Sequence, residues 1–73
     1  MTLTGRESQV LSALTERPGV VISKAKLLST VWGSAESDPH VVEVTIGRLR
    51  RRLGPAAAGI ETVMRRGYRA SAA

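Results

Sequence analysis

Apolar side chains recur along this chain at two spacings, one helical and one typical of strands. Val10, Leu11 and Leu14 share one side of a helix, bounded by Thr4-Gly5-Arg6-Glu7 before them and Pro18-Gly19 after. Thr4 with Glu7 three residues on is a capping box, so a first helix is predicted over about 5–16. Val20-Val21-Ile22 is a β-branched triplet that reads as one short strand. Ser23 caps a second helix through Leu27, Leu28 and Val31, ending at Trp32-Gly33, and a polar loop follows over 34–37. Asp38-Pro39 opens a third helix with Asp at the N-cap and Pro in the first turn; it runs to Leu53, where Gly54-Pro55 ends it. The stretch 54–59, GPAAAG, reads as a connecting loop. Residues 60–64 and 68–70 read as two strands around Arg65-Arg66-Gly67, with Gly67 supplying the positive φ that such a turn needs. The fold class expected is α+β, three helices with a small antiparallel sheet and a C-terminal hairpin.

The third helix has two unlike faces. At 100° per residue, Val42, Ile46, Leu49 and Leu53 line one stripe and form the core face. Val41, Val44, Thr45, Arg48, Arg51 and Arg52 lie opposite or beside it. Small residues at the N-terminal end would let this helix approach base edges closely, with thymine methyls against Val41, Val44 and Thr45; Arg48 could fork onto a guanine. The plainer reading is an amphipathic helix with a solvated outer face, and exposed valines count against it. A protein partner would explain those valines, though not the arginines beside them. At the hairpin, Arg65 and Arg66 would project from the body toward a phosphate run or a minor groove. The plainer reading there is a charged tip that blocks edge-to-edge pairing.

Charge sharpens the picture. The net charge of +5 comes entirely from residues 40–73, which carry seven arginines against two glutamates; residues 1–39 balance. Arginine forks onto phosphates and guanine edges better than lysine does, so a polyanionic partner is favoured. The 73 residues allow one domain, spanning 1–73, in which about 60% of the unfolded chain's surface would be buried. With no cysteine and one histidine, neither a disulfide nor a structural zinc is expected, and no metal or cofactor. No apolar run approaches the roughly 18–20 residues of a membrane span, and MTLTGRESQV lacks a signal-peptide layout. A cytoplasmic protein with no membrane partner is expected.

The order of elements, with VVEVTIGRLRRRL followed by ETVMRRGYRAS, resembles the OmpR/PhoB-type winged helix-turn-helix domain of bacterial response regulators. The likeness runs from Leu3 to about Ser71 and includes Pro18-Gly19 before Val-Ile-Ser, Val31-Trp32-Gly33, RLRRRL, and Gly67-Tyr68-Arg69. It implies a third helix in the major groove of duplex DNA and a hairpin acting as a wing. Carried over residue by residue, it implies DNA contacts by His40, Val41, Val44, Thr45, Arg48 and Arg50 on the helix, and by Thr62, Met64, Arg65 and Tyr68 on or near the wing. Arg51, Arg52 and Arg66 join them as cations of the same two clusters. Trp32 matches a family tryptophan near the DNA backbone, although a core position is the plainer reading. The chain departs from the family pattern at His40-Val41 and at Met64-Arg65, so no operator is implied, and the four-stranded sheet that usually opens the family's domain has no counterpart here. The form TVMRRGYR, with V-E-V before GRLR, is similar to a narrower group: actinobacterial regulators with this domain behind a uroporphyrinogen-III-synthase-like region.

Of the single residues, His40 could touch a phosphate or a base and Lys24 and Lys26 a phosphate, with solvation the plainer reading for all three. Tyr68 should pack its ring inward, and Glu43 should pair with a neighbouring arginine. Sequence-specific binding of double-stranded DNA in transcription is the first function this pattern supports. A winged helix used for protein contact, for example with RNA polymerase through the loop over 33–37, is the second. Self-association on tandem sites is a family habit compatible with either. RNA is weaker, since duplex RNA hides its major groove and one Trp with one Tyr makes a poor stacking platform. No nucleophile triad, phosphate loop or catalytic carboxylate pair suggests an enzyme.

Overall fold

The computed structural model describes residue 3 and residues 5–34 and 38–71. Helix α1 spans Gly5–Glu16 and α2 spans Lys24–Leu27, continuing into a single π turn over Leu28–Trp32. Helix α3 spans His40–Leu53, a 3-10 segment covers Gly54–Gly59, and strands β1 (Ile60–Val63) and β2 (Gly67–Ala70) form the C-terminal hairpin. The α+β winged-helix arrangement read from the sequence is the one observed.

Each helix starts or stops for a local reason. The Ser23 hydroxyl accepts from the Lys26 backbone N–H at 3.0 Å, as an N-cap should. The second helix ends where Gly33 turns left-handed at φ 76° and returns its N–H to the Leu28 carbonyl. The Asp38 carboxylate accepts from the His40 N–H at 2.9 Å, which makes Asp38 the working cap of α3. Thr4, expected to cap α1, and positions 35–37 of the loop expected over 34–37 lie outside the described residues. Glu7 is buried, with its Oε1 2.6 Å from Arg52 Nε on α3.

The core lies where the three helices meet the hairpin. Val10 and Leu14 of α1, Leu27 of α2, Leu28 of the π turn, and Val42, Ile46 and Leu49 of α3 are all at most 1% exposed. Ile60, Tyr68 and Ala70 close it from the sheet. Leu53, read as core, is only partly buried at the end of the stripe. This packing fixes the rotation of α3, and therefore which of its residues reach solvent.

The sheet differs from expectation in two places. Val20-Val21-Ile22 forms no strand; Ile22 alone makes an antiparallel bridge to Tyr68, with N–H to carbonyl distances of 2.8 and 3.0 Å. Gly67 does not make the turn but begins β2, pairing with Val63. Its φ is +143°, and a Cβ there would stand 2.0 Å from the Ile22 carbonyl oxygen. Glycine is needed because the Ile22 backbone passes against it. The left-handed residue of the turn is Arg65, at φ 63°, and the Arg66 N–H closes the turn on the Val63 carbonyl at 2.9 Å. The 54–59 connection, read as a loop, is wound into 3-10 turns that carry the chain from α3 into β1.

Candidate nucleic-acid interface

Fourteen residues make α3 roughly 21 Å long at 1.5 Å per residue, and a helix of this thickness fits a major groove about 12 Å wide. With Val42, Ile46 and Leu49 turned inward, the outermost line of α3 runs through His40, Val44, Gly47 and Arg51, with Arg48 beside it. Val44 is 36% exposed, and Arg48 and Arg51 are exposed. Among the described residues the side chains of Val44, Arg48 and Arg51 make no hydrogen bond or ion pair and can turn outward together.

The other arginines of the basic run are engaged inside the fold. Arg50 donates to the Thr62 hydroxyl at 2.8 Å and to the Ile60 carbonyl at 3.1 Å, and its guanidinium lies 5.9 Å from the Tyr68 ring centroid. Arg52 holds the buried Glu7 carboxylate. The sequence grouped both with the DNA-contacting cations; the structure uses both to brace α3, against the hairpin and against α1. Thr45 also lies within the packing of the fold. It is buried at 9% exposure and its hydroxyl is bonded to the Val41 carbonyl at 2.8 Å. Val41 is half-buried against the core.

Between the N-terminal half of α3 and α1 lies a cleft of about 420 Å³, lined by Arg6, Trp32, His40, Val41, Val44 and Arg48 among others. Arg6 stands 5.5 Å over the Trp32 ring and donates to the Val31 carbonyl, tying α1 to the end of α2. Trp32 is thus half-buried and roofed by a cation at the edge of the interface.

On the opposite flank, Lys24 and Glu43 pair at 3.1 Å, and His40 Nδ1 lies 3.4 Å from the second Glu43 oxygen. Glu43 therefore pairs with lysine and histidine, where the sequence reading had an arginine, and Lys24 is not simply solvated. The hydrogen bond from Lys24, then that from His40, holds the Glu43 carboxyl below its ordinary value of 4.5. His40 remains largely exposed despite this contact.

The hairpin presents its own exposed cluster. Met64, 81% exposed, stands at the tip with Arg65 and Arg66. Thr62 is exposed but accepts from Arg50, and Tyr68 has its ring buried, as expected. Arg69 forms a cross-strand pair with Glu61 at 3.0 Å and takes no part in the tip. Of the thirteen positions read as DNA-contacting, the structure brings His40, Val44, Arg48 and Arg51 to one helix face and Met64, Arg65 and Arg66 to the tip. The sequence reading singled out neither Gly47 nor Arg6, which border this face and its cleft. A stripe drawn through 40, 44, 47 and 51 would have found Gly47; Arg6 depends on packing between helices.

Residues 1–70 match the family described as "Transcriptional regulatory protein, C terminal". The heme response regulator HssR of Staphylococcus aureus is 39% identical over 72 residues, covering 94% of this chain and 32% of the relative. The chain thus spans about a third of the length of the curated relatives it matches. Among solved structures, the DNA-binding domain of Bacillus subtilis CssR superposes at a TM-score of 0.84 with 31% identity, covering 94% of this chain and 77% of that one. The Klebsiella pneumoniae RstA DNA-binding domain, solved in complex with its RstA box, gives 0.85 with 28% identity, over 96% and 73%. By sequence match and by fold, this chain belongs to the family of C-terminal domains of transcriptional regulatory proteins.

Proposed function

We propose that this chain binds double-stranded DNA sequence-specifically and serves as the DNA-binding part of a bacterial transcription regulator. The observation that carries this reading is the sorting of its arginines. Arg50, Arg52 and Arg69 are engaged within the fold, whereas Arg48 and Arg51 on α3 and Arg65 and Arg66 on the hairpin face outward at two places where a duplex would be gripped. Arg48 beside Val44 can fork onto a guanine edge, and Arg51 can take a phosphate. The hairpin lies along the backbone or in the adjacent minor groove. Arg65 adds a second argument. An arginine held at φ 63° costs about 1 kcal/mol that a glycine would not, so its charge at the tip is worth more than the relaxed backbone.

The DNA complex of the RstA domain supports duplex DNA as the partner class, and the family is one of regulators, not enzymes. No helix among the described residues is long and apolar enough to cross a membrane. We read the site of action as the cytoplasm, and the chain as one domain of a longer regulator. The TVMRRGYR hairpin favours an actinobacterial regulator with a uroporphyrinogen-III-synthase-like region ahead of this domain. RNA polymerase and a second copy on a tandem site are further partners in this reading.

Selection of the domain on a random duplex pool, followed by sequencing, tests it. An enriched motif, repeated near one helical turn if copies bind in tandem, is the expected result. Salt-sensitive binding with no enrichment would reduce the interface to phosphate attraction. No binding at any salt would leave protein contact as the function.

A further inference from the structure

The outward face of α3 has a gap at its middle. Along His40, Val44, Gly47 and Arg51, the third position has no side chain. Apart from proline, glycine is the residue a helix interior tolerates least, so its presence asks for a reason. The fold supplies none: Gly47 is not among the positive-φ residues, and a Cβ built on it meets no packed neighbour within 4 Å among the described residues.

Two of the long side chains that could fill the gap are held away from it, and a third, Arg51, is exposed and can swing outward to a phosphate. On a helix surface, the neighbours of position 47 are 43, 44, 50 and 51. Glu43 is drawn to Lys24 at 3.1 Å, and Arg50 to Thr62 and Ile60 at 2.8 and 3.1 Å. What remains is a notch with the Val44 methyls as one wall and bare helix backbone as its floor. The backbone N–H and C=O groups there are spent within the helix, so the floor has nothing to offer a hydrogen-bonding edge. It fits an apolar knob the size of a methyl group, and the apolar group that a major groove presents is the C5-methyl of thymine.

We infer that Gly47 is the seat of a thymine methyl group, so that α3 reads a T·A pair at its closest approach, beside the base contacted by Arg48. This rests on the duplex-binding reading above and adds a base identity to it. Gly47→Ala fills the seat without adding charge or polarity, and should also strengthen the helix.

The test uses the duplex enriched by the wild-type chain, with each thymine replaced in turn by deoxyuridine, which deletes only the methyl. One replacement should weaken wild-type binding about fourfold, the worth of one buried methyl group. The same replacement should leave Gly47→Ala unaffected. That variant should bind the parent duplex at least fourfold more weakly, yet melt roughly 4 °C higher, which separates lost recognition from lost folding. The inference is overturned if no thymine methyl matters to the wild type, or if Gly47→Ala binds and discriminates like it. A wild-type chain that enriches no duplex would sink the duplex reading itself, and the seat with it.

Discussion

The Arg50 guanidinium on α3 donates to the Thr62 hydroxyl on β1 at 2.8 Å, joining the helix and the hairpin of the proposed interface. A second bond from the same nitrogen to the Ile60 carbonyl, at 3.1 Å, makes the joint a clamp on the strand. The angle between helix and wing is then set before any partner arrives, which lowers the ordering cost of binding. Arg50→Ala should cost about 1–2 kcal/mol in urea unfolding. Arg50→Lys should recover little of it, because lysine lacks the flat guanidinium that lies over the Tyr68 ring and aims Nη2 at both oxygens. Full recovery by lysine would show that charge alone holds the joint.

Arg65 trades backbone ease for charge. Arg65→Gly should raise stability by about 1 kcal/mol by relieving the left-handed conformation, while weakening DNA binding at every sequence. The slope of log affinity against log salt should flatten by about one unit. Measuring unfolding and the salt slope on the same variant checks both halves, and an unchanged slope would remove the tip from the interface.

Gly67 is fixed by its neighbour. Gly67→Ala would place a Cβ 2.0 Å from the Ile22 carbonyl oxygen, where only backbone can give way. The expected cost is about 3 kcal/mol or more, with loss of the Ile22–Tyr68 bridge. Amide exchange at Tyr68 and Ile22 reads that bridge directly; protection equal to that of the wild type would contradict the close approach.

Glu43 gives the domain a small acid sensitivity. Its carboxyl titrates below 4.5 in the fold because Lys24 and His40 bond the ionised form. A carboxyl with a lowered folded value adds stability above its ordinary range and loses it as pH falls through the lowered value. The melting-temperature advantage of the wild type over Glu43→Gln should therefore be present at neutral pH and fade below pH 4.5. A constant difference across that range would deny the pairing.

Much of this molecule was legible from one-dimensional pattern. The stripe of Val42, Ile46, Leu49 and Leu53 announced α3 and its inner face, and Ser23, Asp38 and Gly33 marked helix ends through local chemistry that needs no tertiary context. The reading failed where a distant backbone decides. Gly67 looks like a turn glycine until Ile22 is seen against it, and the β-branched triplet 20–22 pairs with a strand at Ile22 alone. In the candidate site, charge composition marked the two basic clusters but not which of their arginines the fold leaves outward. Which of Arg48, Arg50, Arg51 and Arg52 faces outward depends on the rotation of α3 and on the partners waiting in α1 and β1, Glu7 and Thr62, which no spacing rule reveals.

The central claim is that α3 reads bases through Arg48 while the other outward arginines grip phosphate. It is tested most directly by titrating the wild type and Arg48→Ala against the enriched duplex and a shuffled duplex of the same composition, at one salt concentration. Arg48→Ala should lose about 1–3 kcal/mol on the enriched duplex and much less on the shuffled one, so that its preference collapses. Equal loss on both would contradict base reading by Arg48 and leave it one more phosphate contact.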